Sequence, residues 1–512
     1  MTFEIVFVLL SLLGMVAALI ADKMRPGMIL FSVVVLFLCA GILTPKEMLE
    51  GFSNKGMITV ALLFLVSEGI RQSGTLGQVI KKLLPQGKTT VFKAQLRILP
   101  SVAFISAFLN NTPVVVIFAP IIKHWAKSVN LPATKFLIPL SYVTILGGIC
   151  TLIGTSTNLV VHGMILEAGF EGFSMFELGK VGIFIAIAGI IYIFLFSKRL
   201  LPDARPDTAV PDEEVEEGEK LHRVEAVLGA RFPGINKKLK DFNFQRHYGA
   251  EIKEIKTRNG QRFVTNLDDV VLHEGDTLVV MADDTFIPTW GESSVFVLLT
   301  NGNEPDTSGK KKRWFALLLL VLMIVGATVG ELPVTKEMFP DIKLDMFFFV
   351  SITTIIMAWT NLFPARKYTK YISWDILITI ACAFAISKAM VNSGVADSVA
   401  KFIIGLSDDY GPHVLLAMVF IITNLFTELI TNNAAAALAF PLALSISAQL
   451  GVSPTPFFVV ICMAASASFS TPIGYQTNLI VQGIGNYKFT DFVRIGLPLN
   501  IITFLISIIL IP

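Results

Sequence analysis

Two thirteen-residue stretches, TLIGTSTNLVVHG at 151–163 and TPIGYQTNLIVQG at 471–483, are identical at eight positions and stand 320 residues apart. Each opens on a threonine, breaks at a glycine (Gly154, Gly474; Pro472 reinforces the second), and resumes as an apolar run. Upstream, SAFLNNTPVVVIFAP (106–120) lies against TELITNNAAAALAFP (427–441), pairing Ser106 with Thr427, Asn111 with Asn432 and Pro120 with Pro441. Further back, SEGIRQSG (67–74) matches SKAMVNSG (387–394). Three matches in one order, at offsets of 320 and 321, make the two halves of the chain an internal repeat.

The rest of the composition says where such a repeat must live. Of 512 residues, 54% are hydrophobic and 16% charged, against roughly 45–50% and ~25% in soluble domains. The excess is gathered in apolar runs of about 16–25 residues, long enough for membrane helices. A soluble enzyme, a fibrous protein and a disordered chain are excluded. The net charge of +2 lacks the large clustered excess of a nucleic-acid binder, so no nucleic-acid partner is expected. Cys39, Cys150, Cys382 and Cys462 lie in apolar runs without CxxC or CxxxH spacing, which argues against a disulfide framework or a zinc site. The first run lacks a basic leader and a small-residue cleavage pattern, and reads as a retained span.

Spans are expected at about 3–20, 28–44, 56–74, 135–163 and 179–197, then 314–331, 344–360, 373–394, 455–483 and 493–511. Two further segments, 92–122 and 412–447, are interrupted by Asn/Thr clusters. Basic residues at Lys23, Arg25, Lys81, Lys82, Lys88, Lys123, Lys127, Lys198, Arg199, Lys310–Arg313, Arg366, Lys367, Lys370, Lys488 and Arg494 should all be cytoplasmic. They agree only if each interrupted segment is a re-entrant hairpin. The expected fold is an all-α polytopic membrane protein, an inverted repeat of five spans plus one hairpin each, with both chain ends outside. Five spans is an odd number, so the halves have opposite orientation, which is the mark of secondary transporters.

The membrane halves are 1–200 and 314–512. Between them, 201–219 is an acidic linker, 220–300 a small cytoplasmic α/β domain, and 301–313 a second linker. LHRVEAVLGA, AEIKEIKTRNGQRFV and DTLVVMADD carry strand-like alternation, with Asn259–Gly260 as a hairpin turn, and INKKLKDFNF reads as a short amphipathic helix.

The matched segments are rich in side-chain hydroxyls and amides: Ser106, Asn110, Asn111, Thr112, Thr427, Thr431, Asn432 and Asn433. Irregular backbone at membrane depth is tolerated only where it is buried or lines a polar cavity. Neutral oxygens suit a hard cation such as sodium, and helices restarting after the tips aim positive dipole ends at an anion. The plainer alternative, Asn and Thr as helix glue, does not explain a duplicated constellation. Glu68, matched to Lys388 and one turn from Arg71, is expected either in a structural ion pair or snorkelling to the interface; Glu428 either tunes a cation site or braces its hairpin. His124 and His162 are expected to be solvated at span ends.

The paired Ser-X3-Asn-Asn-Thr and Thr-X3-Thr-Asn-Asn tips, each followed by a Gly/Thr/Pro/Asn-rich break, resemble the divalent anion:sodium symporters, the dicarboxylate and sulfate carriers. The family's Ser-Asn-Thr tip stands here as Asn110-Asn111-Thr112 and Thr431-Asn432-Asn433. The resemblance implies one sodium site at Ser106, Asn110, Asn111 and backbone near Gly154, and another at Thr427, Thr431, Asn432 and backbone near Thr471. A small anionic substrate would lie between the tips against Asn111, Thr112, Thr155, Ser156, Asn432, Asn433, Thr471 and Pro472. It also implies an elevator motion against a homodimeric scaffold in the plasma (inner) membrane bilayer. FPGINKKLKDFNFQRHYGAEIKEI and LHEGDTLVVMADD resemble the C-terminal lobe of RCK domains that regulate potassium conductance, which implies a small regulatory ligand such as a cyclic dinucleotide. Proton-coupled and uncoupled carriage stay open. An ion channel or potassium-uptake subunit would need a TVGYG-like filter, which the sequence lacks, and no nucleophile–base set points to an enzyme.

Overall fold

The structure, a computed structural model, describes residues 3–21, 24–203, 222–229, 231–257, 261–283, 286–290, 295–300, 310–339, 342–405 and 411–511. The first half runs α1 (Phe3–Ala21), α2 (Pro26–Cys39), α3 (Pro45–Glu50), α4 (Lys55–Gln72), α5 (Thr75–Leu83), α6 (Val91–Ser106), α7 (Asn111–Ser128), α8 (Leu137–Gly148), α9 (Ser156–Glu167) and α10 (Gly179–Leu200). Polar caps set the starts. Thr44 and Glu47 form a capping box on α3, and Asn54 accepts the first free N–H groups of α4. Gly74, at φ +69°, lets the chain turn from α4 into the short amphipathic α5.

The insert follows as β1 (His222–Leu228), α11 (Phe244–Tyr248), β2 (Glu251–Lys256), β3 (Arg262–Phe263), β4 (Thr277–Ala282), α12 (Phe286–Trp290) and β5 (Phe296–Thr300). The strands make one antiparallel sheet in the order β3-β2-β4-β1-β5. One face packs on an aromatic cluster that includes Phe232, Phe242, Phe244, Tyr248 and Phe296. INKKLKDFNF is not a helix: Asn236 takes a left-handed φ of +60°, and Lys238 bridges to Val271, leaving a single 3-10 turn at Leu239–Asp241. The helix forms one step later, where Asn243 caps Arg246 N–H. The Asn259–Gly260 turn and most of both linkers (204–221, 301–309) lie outside the described residues, although β2 and β3 pair across that turn as expected.

The second half repeats the first: α13 (Lys310–Gly330), α14 (Pro333–Met338), α15 (Met346–Trp359), α16 (Tyr368–Tyr371), α17 (Trp374–Asn392), α18 (Val395–Gly405), α19 (Pro412–Leu429), α20 (Asn432–Leu450), α21 (Thr455–Ser466), α22 (Gln476–Gly485) and α23 (Phe489–Leu510). Lys310–Arg313, read as linker, form the first turn of α13. Gly394, at φ +75°, repeats the turn at Gly74. Among the described residues eight helices are long and apolar enough to cross a membrane. Two of these, α19 and α20, are joined by only two residues and pack together as one hairpin. The remaining spans are the shorter α2 and α15 and the broken pairs α8–α9 and α21–α22.

Packing respects the repeat. α4 lies on α15 as α17 lies on α2, and α6 lies on α8 as α19 lies on α21. Glu68 and Arg71 form the expected pair, with contacts of 2.7 and 2.8 Å. His124 is exposed as expected, whereas His162 is only partly so. The chain after α9 folds back so that Gly172 backs the imidazole, and its buried Nδ1 has no partner among the described residues.

Candidate functional site at the two hairpin tips

Four helix N-termini meet at the centre of the molecule: α7 begins at Asn111, α20 at Asn432, α9 at Ser156 and α22 at Gln476. Within each half the same bonds recur. Ser106 Oγ donates to Asn111 Oδ1 at 2.7 Å, and Thr427 Oγ1 to Asn432 Oδ1 at 2.8 Å. The Thr151 hydroxyl donates to the Ala107 carbonyl, as Thr471 Oγ1 does to Glu428 O at 3.0 Å. Those hydroxyls in turn accept from Gly154 N–H and Gly474 N–H. Each break thus satisfies its freed backbone groups locally, as irregular backbone in a membrane requires.

The two asparagines closing the matched motifs do the rest of that work. Asn158 Nδ2 donates to Thr151 O at 2.8 Å; Asn478 Nδ2 donates to Ser468 O at 2.9 Å and Thr471 O at 3.2 Å. The glycines are a matter of space. A Cβ on Gly154 would lie 2.4 Å from Gly148 O, and one on Gly474 2.0 Å from Ser468 Oγ and 2.4 Å from Thr427 O.

Between halves the tips interlock. Thr112 Oγ1 donates to Gln476 Oε1 at 3.3 Å, while Ser156 Oγ and Thr157 Oγ1 both donate to Asn433 Oδ1 at 3.3 Å. Tyr475 stands between them. Its hydroxyl accepts from Asn111 Nδ2 at 2.6 Å and lies 3.1 Å from Thr155 Oγ1, with the Asn432 side chain nearby.

The oxygens around each tip are neutral and buried: Ser106 and Thr427 are fully enclosed and Asn111 is 1% exposed. In the second half Thr431 Oγ1 and Ser466 Oγ are buried with no partner among the described residues. Neutral hydroxyl and carbonyl oxygens of this kind suit a hard cation. To admit one, the Ser106 and Thr427 hydroxyls need only rotate their protons outward and offer lone pairs. Asn110 is not brought into this cluster. Its side chain caps its own helix at Thr112 N–H (3.5 Å), and the residue lines a crevice with Val60, Ser67, Ser156, Leu320 and Met323. Pro472 is buried at the break and supplies shape rather than a polar contact. Glu428, which replaces Ala107 of the first half, accepts from Ser470 N–H at 2.9 Å and Asn500 Nδ2 at 2.7 Å, so it braces the second hairpin.

The profile of the citrate transporter family matches residues 16–444 and again 342–512. The chain belongs to that family. An uncharacterized transporter of Synechocystis sp. is 30% identical over 92% of this chain and 90% of its own length. Sodium/sulfate cotransporter 2 of Chlamydomonas reinhardtii is 31% identical over 55% of this chain and 31% of its own. The crystal structure of the YdaH transporter of Alcanivorax borkumensis shares the fold at a TM-score of 0.53, with 12% identity, over 100% of this chain and 98% of that one. The protein is therefore a multi-pass membrane carrier of the citrate transporter family and not an enzyme.

Within this family member the repeat located most of the site, and four residues escaped it. Asn158 and Asn478 lay in plain sight as the shared Thr-Asn pair. Gln476 and Tyr475 gave no signal, because they break the repeat and stand opposite Ser156 and Thr155.

Proposed function

We propose that this carrier is a sodium-coupled symporter of a small divalent anion, sulfate or a dicarboxylate. The carrying observation is the pair of hydroxyl–amide units, Ser106–Asn111 and Thr427–Asn432, interlocked at four helix N-termini. The oxygens of each unit would hold a sodium ion: Ser106, Asn111 and the backbone near Gly154, then Thr427, Thr431, Asn432 and the backbone near Thr471. The amide N–H groups and helix ends would hold the anion between them, with Thr112, Thr155, Ser156 and Asn433 at its rim. Two cations neutralise a divalent anion at membrane depth, where an unpaired charge is costly. The name of the Chlamydomonas relative supports this pairing of ions.

An elevator motion of the hairpin-bearing helices is supported by unequal packing. α20 lies along α17, whereas its counterpart α7 touches α4 only lightly. Alternating access needs two such inequivalent positions.

The insert is proposed to regulate transport from the cytoplasmic side, as an RCK-C-like domain that takes a small ligand such as a cyclic dinucleotide and pairs within a homodimer. Its polar sheet face lies against the membrane half: Lys123 of α7 holds Glu225 at 2.8 and 3.0 Å, and Gly275 and Thr277 sit on Leu479 and Gly483 of α22. Both helices begin at the site, so a shift of the insert would reach it directly.

Uptake of labelled sulfate, succinate and citrate into proteoliposomes, with and without a sodium gradient, tests the proposal. At least one anion should accumulate only under the gradient. Accumulation independent of sodium, driven equally well by protons, would overturn sodium coupling.

A further inference from the structure

Tyr475 is the residue at the centre of the site that the repeat does not account for. Its counterpart Thr155 is small, whereas Tyr475 brings a whole phenol ring to the same place in the repeat. The residue is 8% exposed, and its hydroxyl meets both Asn111 and Thr155, beside Asn432. A phenol has one proton and two lone pairs. It accepts from the Asn111 amide and can donate to Thr155. The phenol oxygen therefore occupies the place where one oxygen of a bound anion would receive the Asn111 amide.

The Asn111 amide and the neighbouring Asn432 face one small volume, and the buried ring of Tyr475 takes up part of it. A compact anion asks less of that volume than two carboxylates set apart by a carbon chain. Gln476, next in the chain, is bonded to Thr112 at 3.3 Å on the exposed side.

Resting on the symporter reading above, we propose that Tyr475 determines specificity: it holds the place of an oxyanion oxygen in the empty carrier and restricts the site to compact tetrahedral divalent oxyanions of the sulfate class, excluding longer dicarboxylates. On binding, the anion takes the amides of Asn111 and Asn432. The freed phenol proton then donates to the anion rather than to Thr155, so the hydroxyl serves both states.

The test compares wild type, Tyr475→Thr, which restores the pseudo-symmetric residue, and Tyr475→Phe, which keeps the ring and removes the hydroxyl. Sodium-driven uptake of sulfate and succinate is measured for each. Wild type should take up sulfate at least tenfold better than succinate. Tyr475→Phe should still exclude succinate while its sulfate KM rises about tenfold, the effect of removing one well-made buried hydrogen bond. Tyr475→Thr should raise the succinate-to-sulfate ratio at least tenfold. An unchanged ratio in Tyr475→Thr, with wild type carrying sulfate, overturns the proposal alone and leaves the symporter reading standing. If Tyr475→Thr fails to fold, an unchanged sulfate KM in Tyr475→Phe overturns it. Wild-type preference for succinate overturns the sulfate class while keeping sodium coupling. Uptake of neither anion under a sodium gradient sinks the symporter reading and this proposal with it.

Discussion

Asn111 and Asn432 each turn the amide oxygen to a hydroxyl of their own half. The other end of the Asn111 amide reaches the centre at Tyr475, which Asn432 flanks. Asn111→Ala strands the Ser106 hydroxyl and a phenol lone pair together, at roughly 1–3 kcal/mol for each buried group left unsatisfied. Coupled uptake should fall more than tenfold in Asn111→Ala and in Asn432→Ala, with thermal stability in detergent lowered far less than transport. Full sodium-dependent uptake by both variants would remove these residues from the site. Asn110→Ala should be milder, because Asn110 caps a helix instead of facing the cluster; about 1 kcal/mol of stability is the expected loss. At this scale the repeat made Asn111 and Asn432 legible from sequence. Tyr475 was illegible because its importance comes from meeting residues 364 and 320 positions away.

The break between α21 and α22 shows how an element depends on one missing atom. Gly474 has no room for a Cβ, since Ser468 Oγ and the Thr427 carbonyl already occupy it. Gly474→Ala must push the break away from the second hairpin, an overpacking cost of about 1–3 kcal/mol. It should lower the thermal midpoint and abolish transport, whereas Gly405→Ala, with nothing within 4 Å, should change neither. Equal midpoints for the two variants would show that the close approach does not hold the break. Glycine in both matched motifs was readable as a breaker. Which atoms it admits was not, because Ser468 and Thr427 arrive from other segments.

At the scale of the molecule, the insert is seated and not merely tethered. Linkers of polar composition suggest a domain free to shift, yet its charged sheet face buries Glu254 and Lys256, and the half-buried Glu225 beside them pairs with Lys123 of the membrane half. Burial by itself would raise the Glu225 carboxyl; Lys123, Lys256 and Arg223 outweigh it and hold the group at about 2. A carboxyl lowered from an unfolded value of about 4.3 contributes stability that is complete above that pH and is lost as pH falls towards 2. Protection of β1 amides, corrected for intrinsic exchange, should therefore be flat between pH 8 and 5. Lys123→Met should cut that protection by roughly ten- to a hundredfold, since it leaves part of a buried charge uncompensated. A steep loss between pH 7 and 5 in wild type would assign the contact to another group. For the membrane halves, cysteines placed at Lys88 and His413 in a background lacking the four native cysteines should react with an impermeant reagent from opposite sides. Labelling from one side would defeat the inverted orientation. Position 408, the other natural choice, lies outside the described residues.

What the sequence determined by itself was everything that duplication and hydropathy encode: ten spans, two hairpins, the tips at 106–112 and 427–433, the breaks at Gly154 and Gly474, and a foreign α/β insert. These are local properties. A run of apolar residues must be buried in lipid or protein wherever it lies, and a glycine or asparagine at its end interrupts it in any context. Only the tertiary structure decided the rest: that Tyr475 fills the centre between the two tips, that Thr112 meets Gln476 while Asn433 meets Ser156 and Thr157, that Asn110 turns away, and that Glu225 reaches Lys123. Each of those pairs joins segments distant in the chain, or, for Asn110, chooses one of two local partners. Their geometry is set by how whole helices pack, and the residues' own chemistry is compatible with either outcome.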